Sequence, residues 1–362
     1  MSQTATSSTD LRFPCKNCGA KLEFAPGKDS LTCPYCGTLN QIENTAEVAE
    51  QDLLNTIQRL EDKQPHETVP VVKCDACAAE VQVPANVTSF TCPFCASNIV
   101  AKSRECVVIR PNAVLPFKMT REEATNAYRR WIQKMWWAPG TLKSRSMLEA
   151  SLSGIYLPHF TFDAEASTAY VGERGDAYYE THWVTANGRR QARQVRKVRW
   201  SPASGRVHNS FDDILVPASK TLDQQKVREL TPWDLTECVA YKDDYLAGFR
   251  AETYSIPLAD AFADAKTRME QIIDGTIRAD IGGDEQRIHD RRTTYSDLMF
   301  KHVLLPIWVS AYRYNQKVYQ FMVNARTGEV QGQRPYSWLK ISAAVIMALL
   351  FAAAVIWVLS RS

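Results

Sequence analysis

Hydrophobic and polar positions change their period several times along the chain, and each change marks a predicted element. Residues 1–10 are polar and Ser/Thr-rich with no apolar run, so they predict a disordered N-terminus without a secretory leader. Leu22-Glu23-Phe24 and Val81-Gln82-Val83 alternate with period two, as short strands do, and Pro26-Gly27 turns the chain back toward Leu31. Between them, Thr45 to Gln64 is charged and helix-prone. Ala46, Ala49, Leu53, Ile57 and Leu60 share one face at three- and four-residue steps, and Pro65 and Pro70 end the run. This predicts a helical linker over 43–68, read as a solvated spacer, with a short dimerising helix as the alternative.

The long middle, 106–333, mixes both periods. Thr120-Arg-Glu-Glu123 is a capping box for a helix with Ala124, Tyr128, Trp131 and Met135 on its apolar face, stopped by Pro139-Gly140. A second helix carries Leu258, Phe262, Ala265, Met269, Ile272 and Ile273 and ends near Gly282-Gly283. Strands are predicted over Ile155–Phe162, Ala169–Val171, Gln194–Trp200 and Ile214–Val216. Val303–Tyr314 and Lys317–Val323 predict a hairpin about Asn315-Gln316, and Thr327-Gly328 turns into a last strand. Gly154-Ile-Tyr-Leu-Pro-His-Phe160 and His302-Val-Leu-Leu-Pro-Ile-Trp308 match weakly, each after a helix. A helix-then-strands unit used twice gives an α+β body with antiparallel sheet.

The end of the chain has no polar period. Ile341 to Leu359 contains no charged residue and, with Trp338 and Leu339, is long enough at 1.5 Å per residue for a ~30 Å hydrocarbon core. Trp338 and Trp357 stand where interfacial aromatics belong. The pattern predicts one C-terminal transmembrane helix over 338–360. Arg326, Arg334 and Lys340 before it outnumber Arg361 after it, which places the body in the cytoplasm. The expectation is a single-pass, tail-anchored protein of the bacterial cytoplasmic (inner) membrane.

Cysteine spacing adds the chemistry. Eight of ten cysteines form two copies of one pattern, Cys15/Cys18 with Cys33/Cys36 and Cys74/Cys77 with Cys92/Cys95. Each is CxxC, fourteen residues, CxxC, and a constant offset of 59 superposes the copies. Two knuckles complete a tetrahedral thiolate site, so the spacing predicts two zinc ribbons, 11–42 and 69–102, and two Zn2+ per chain. A rubredoxin-type iron site or a redox CxxC fits two complete quartets less well. Zinc thiolates require a reducing compartment. Gly19 and Gly37 follow their knuckles where positive φ is common, whereas the second copy has Ala78 and Ala96 there. Cys106 and Cys238 read as plain buried thiols.

At 362 residues the chain has room for two or three domains, and a net charge of +3 constrains partners little. Traces of an enzyme are few. There is no GxxxxGK[ST] loop; Gly283-Asp-Glu-Gln286 follows a helix end rather than a buried strand; the six histidines are dispersed. Asp212 and Asp213, being adjacent in a strand, point to opposite faces and should not share a site. A non-enzymatic protein is expected. The basic run Arg189, Arg190, Arg193, Arg196, Lys197 and Arg199 is a candidate phosphate or lipid contact, with a solvated hairpin as the plainer reading. The ribbons carry few cations (Lys16, Lys21, Lys28, Lys73), which favours protein docking over nucleic acid.

The tandem ribbons, Arg193-Gln-Val-Arg-Lys-Val-Arg-Trp200, Ser204-Gly-Arg-Val207, Phe211-Asp-Asp-Ile-Leu-Val216, Asp280-Ile-Gly-Gly-Asp-Glu-Gln-Arg287 and Leu305-Pro-Ile-Trp308 together resemble a bacterial family of zinc-ribbon membrane proteins. Members are often labelled primosomal protein N′ (replication factor Y), superfamily II helicase-like. The resemblance spans nearly the whole chain. This sequence lacks the nucleotide-binding loops and motor domains that the helicase label requires. Family kinship implies partners of the SPFH-domain or phage-shock type, and hence a membrane-anchored adaptor; the alternative is a membrane-tethered nucleic-acid-binding protein using the ribbons and the 189–199 stripe.

Overall fold

The computed structural model describes residues 14–61, 67–82, 89–95, 97–100, 104–134, 152–186, 189–314, 317–333 and 338–359. The expected disordered N-terminus, Ala96, Pro139-Gly140 and Asn315-Gln316 lie outside them. Five helices are described: α1 (Leu53–Glu61), α2 (Arg121–Gln133), α3 (Gln224–Glu229), α4 (Leu258–Ile281) and α5 (Trp338–Leu359). The body is a mixed α+β unit whose nine-stranded sheet is carried mainly by β1 (Ser153–Ala186), β2 (Arg189–Pro217), β3 (Glu285–Tyr314), β4 (Lys317–Asn324) and β5 (Val330–Gly332). β1 lies between β2 and β3, both antiparallel to it; β4 and β5 continue from the upper part of β3.

The separate strands expected from sequence are one continuous pair. β1 runs 34 residues and β2 runs 29. The environment of β1 changes along its length. Ile155 to Phe162 is buried throughout because both faces are covered. From Ala164 to Tyr170 burial alternates because α4 covers one face only. Beyond Gly175 the third strand is gone, and residues 179–184 are exposed. An apolar run, a period-two run and a polar run therefore belong to one element.

The two similar segments pair with each other. Leu157 faces Leu305 and Tyr156 faces Pro306 across β1 and β3. Pro158 O accepts from Ala218 N at 3.0 Å, and Pro306 O accepts from Ala325 N at 3.1 Å, so each helix-then-hairpin unit closes the same way. The capping box at Thr120 and Glu123 is formed. α4 buries Leu258, Ala261, Ala265, Met269, Ile273, Ile277 and Ile281 on the sheet.

Three expectations are corrected. Among the described residues of the 43–68 linker only Leu53–Glu61 is helical; Gln51–Asp52 pairs with β3, and Leu53 is fully buried in the body core with Ile57 and Leu60 against it. It is a docked element, because its apolar face meets the α4 side of the sheet. Secondly, Asp212 and Asp213 do come together, with Asp163, within 4.8 Å. A bulge interrupts the β1–β2 register between Phe162 and Ala164, and Asp213 takes φ 53°, which overrides strand alternation. Lys301 Nζ supplies the positive charge there, 2.7 Å from Asp213, 3.7 Å from Asp163 and 3.0 Å from Glu50.

The third correction concerns the membrane. Among the described residues no helix is long and apolar enough to cross a bilayer. That finding overturns the predicted span over 338–360 and the single-pass inner-membrane placement drawn from it. α5 is a helix of 22 residues, Trp338–Leu359, with exposed apolar side chains.

Candidate metal centres and a cationic arm

Each cysteine repeat folds as two knuckles facing one another. The first cysteine of each knuckle donates its N–H five residues ahead: Cys15 to Ala20 O, Cys33 to Thr38 O, Cys74 to Ala79 O and Cys92 to Ser97 O, at 2.7–3.0 Å. Its carbonyl accepts from the residue four on, Gly19, Gly37 or Ala78. That turn demands a left-handed residue. Gly19 and Gly37 have φ 73° and 71°, and Ala78 takes φ 60° despite its Cβ.

The turns bring four sulfurs to one point in each repeat. Cys15 Sγ lies 3.6 Å from Cys36 Sγ and Cys18 Sγ lies 3.5 Å from Cys33 Sγ. In the second repeat Cys74–Cys95 is 3.6 Å and Cys77–Cys92 is 3.7 Å. A disulfide would be ~2.05 Å. Four thiolates held ~2.3 Å from a central tetrahedral ion would stand about 3.8 Å apart, which is the separation found. All eight cysteines are free thiols, and both quartets could hold a metal ion.

Charge makes the same point. Without a cation, four neighbouring thiols cannot all ionise. Cys92 is held down at about 5 by its hydrogen bond with Cys77, while Cys77 is pushed up by that bond and by burial. In the first repeat the Thr38 hydroxyl and amide hold Cys36 at about 6. Thr38 Oγ1 is 3.1 Å from Cys36 Sγ, and Ser97 Oγ is 2.9 Å from Cys95 Sγ. These two hydroxyls went unread in the sequence, although the 59-residue offset carries Thr38 onto Ser97. They orient one ligand of each site, Cys36 and Cys95.

The repeats pack on opposite faces of one sheet. Leu22, Phe24 and Leu31 join Tyr156, Trp308 and Phe321 in one core cluster. Val81, Phe94 and Ile99 join Ile155, Leu157, Ile307 and Met322 in another. Neighbouring residues of β1 and β3 thus serve different repeats. Backbone bonds fix both, from Phe24 N to Ala247 O at 2.9 Å and from Thr253 N to Glu80 O at 3.1 Å. A cleft of about 920 Å3 lies between them, lined by Phe24, Phe90, Phe249, Arg250 and Trp308.

The basic run lies far along the sheet. Arg193, Arg196, Lys197 and Arg199 sit on the outer part of β2 opposite His182, Tyr179, Tyr178 and Asp176. Arg189 and Arg190 are described by backbone alone, pairing with Ala186 and Thr185. Arg196 pairs with Glu285 and Lys197 with Glu180. The stripe is separate from the cysteine quartets. Asp284 and Glu285, from the Gly283–Gln286 segment, hold the base of this hairpin: Asp284 Oδ2 accepts from Ala177 N at 2.7 Å. Cys238 is half-buried, and burial pushes its thiol up to about 12. Cys106 lies on a short strand, Arg104–Val108.

No family model matches the chain, and no solved structure matches it. It is similar to the uncharacterized protein YdjG of Bacillus subtilis (strain 168), at 26% identity over 340 residues covering 92% of each chain.

Proposed function

We propose that the protein is a non-enzymatic adaptor in which two structural zinc ions stiffen ribbons that dock protein partners. Zinc is favoured because all ligands are thiolates, the sulfur separations suit a tetrahedron, and no position is left for substrate. Bound there, the ion would cross-link each pair of knuckles. The partner class that the family resemblance implies, SPFH-domain or phage-shock type, is the one we propose.

One observation carries the docking reading. Tyr35 and Phe94 are equivalent under the 59-residue offset, yet Phe94 is fully buried against the body while Tyr35 is 82% exposed and Leu39, four residues on, is 54% exposed. The second ribbon spends its knuckle aromatic on its own body; the first presents the same group outward. A ring and a leucine on a rigid metal-braced knuckle make an anchor suited to a partner's apolar pocket.

A photo-crosslinking residue at position 35 tests this. Capture of one SPFH-domain or phage-shock-type protein, retained at high salt and lost with Leu39→Asp, supports the proposal. Crosslinks to nucleic acid, or none in cells, refute it.

A further inference from the structure

Beyond Gly175, where β3 ends, β1 and β2 continue as two strands alone for eleven residue pairs, from Asp176–Arg199 to Ala186–Arg189. At about 3.3 Å per residue this ribbon is roughly 36 Å long. A bare two-stranded ribbon of that length has no core of its own.

Its charge is unlike that of the rest of the chain. Residues 176–199 hold six Lys and Arg against Asp176 and Glu180, a net +4, while the entire chain has +3. The cations occupy both faces. Arg193, Lys197 and Arg199 stand opposite the even-numbered residues His182, Tyr178 and Asp176, and Arg196 stands opposite Tyr179. Exposed rings accompany them: Tyr178 at 44%, Tyr179 at 66% and Trp183 at 62%. At the base the sign reverses, where Asp284 bonds to Ala177 and Glu285 to Arg196.

A partner lying flat on the sheet would meet one face only. Cations on both faces of a thin ribbon suit a partner that surrounds it, and the DNA major groove, ~12 Å wide, admits a two-stranded β-ribbon between two rows of phosphates. The third strand, which joins at Gly175, widens the sheet there, and the Asp284–Glu285 carboxylates repel phosphate, so both would limit insertion at that level. We propose that the 176–199 hairpin is an arm that enters the groove of double-stranded DNA. The exposed ion pairs do not oppose this, since such pairs are worth little and exchange readily for phosphate. The inference does not depend on the adaptor reading.

The experiment is fluorescence anisotropy of the zinc-loaded full chain with a labelled DNA duplex of about two helical turns, over a salt series. Binding is expected to weaken steeply with salt, with a log–log slope of about −3.6 to −5.4 for four to six phosphate contacts. The triple variant R193E/R196E/R199E should lose about a hundredfold or more at low salt and flatten that slope, with zinc content and melting unchanged. Tyr179→Ala with Trp183→Ala, at exposed positions, should weaken binding without altering the slope. Single-stranded oligonucleotide of the same sequence and anionic phosphatidylglycerol vesicles are run alongside. Preference for either over the duplex, equal duplex binding by the triple variant, or no binding by folded protein at low salt would each overturn the proposal.

Discussion

Tyr35 and Phe94 stand at one and the same position of the cysteine repeat, fifty-nine residues apart, and the fold treats them oppositely. Phe94 is fully buried among Val81, Ile99, Ile307 and Met322, whereas Tyr35 is 82% exposed. Phe94→Ala should therefore cost about 3–5 kcal/mol through lost burial and the cavity left behind. Tyr35→Ala should stay within about 0.5 kcal/mol. Urea unfolding of the two variants measures the difference, and comparable losses would mean that Tyr35 is covered in solution.

Metal removal should separate the two sites. Purified protein should contain two zinc ions, with Cys36→Ser and Cys95→Ser each losing one and sparing the other. Thr38→Val and Ser97→Ala keep every ligand but remove the hydroxyl beside it; affinity should fall by about tenfold to a hundredfold. Competition with a chromogenic chelator reads this directly.

Backbone strain makes a further prediction. Ala78 holds a left-handed conformation that glycine holds in the first repeat. Ala78→Gly should stabilise the second repeat by roughly 1 kcal/mol, since relief of the strain exceeds the added freedom of the unfolded chain. A lower melting temperature for this variant would contradict the turn geometry.

Acid and base act on opposite groups. Burial raises Glu252 from 4.5 to about 7, against hydrogen bonds from Thr221 and Ser219. Burial lowers His159 and His302 from 6.5 to about 4. Glu252 contributes stability that is full below 4.5 and lost as pH rises through 7. The histidines contribute stability that is present above 6.5 and lost as pH falls toward 4. Each full shift is worth roughly 3 kcal/mol, and about 2 kcal/mol of it falls between pH 6.5 and 4.5, so two histidines against Glu252 lose about 2 kcal/mol on acidification, and Asp163, which burial raises to about 6, brings the net loss below that. Glu252→Gln should steepen this loss, because it removes the opposing slope. Denaturation midpoints across that range test both signs.

Local signals foretold local structure. The CxxC knuckles, the Thr120–Glu123 box, the α4 stripe and the β3–β4 hairpin were legible because each depends on residues a few positions apart. The continuity of β1 was not, since its burial depends on what lies above it: a repeat on either face at Ile155, α4 alone at Ala166, and an exposed ribbon at Trp183. The Asp163–Asp213 bulge was hidden for a related reason, as a register shift belongs to a pair of strands. Thr38 and Ser97 carried a usable signal, hydroxyl matching hydroxyl at the common offset. The apolar C-terminal run foretold the helix α5 but not a span.

The distances in sequence that the sheet must close impose an order on its birth. Each cysteine quartet joins residues 21 apart, whereas Thr168 meets Thr293 across 125 residues and Glu50 meets Lys301 across 251. During synthesis both quartets leave the ribosome and can charge with metal long before β3 exists. The nascent chain therefore carries two finished clasps and waits for the platform they will grip.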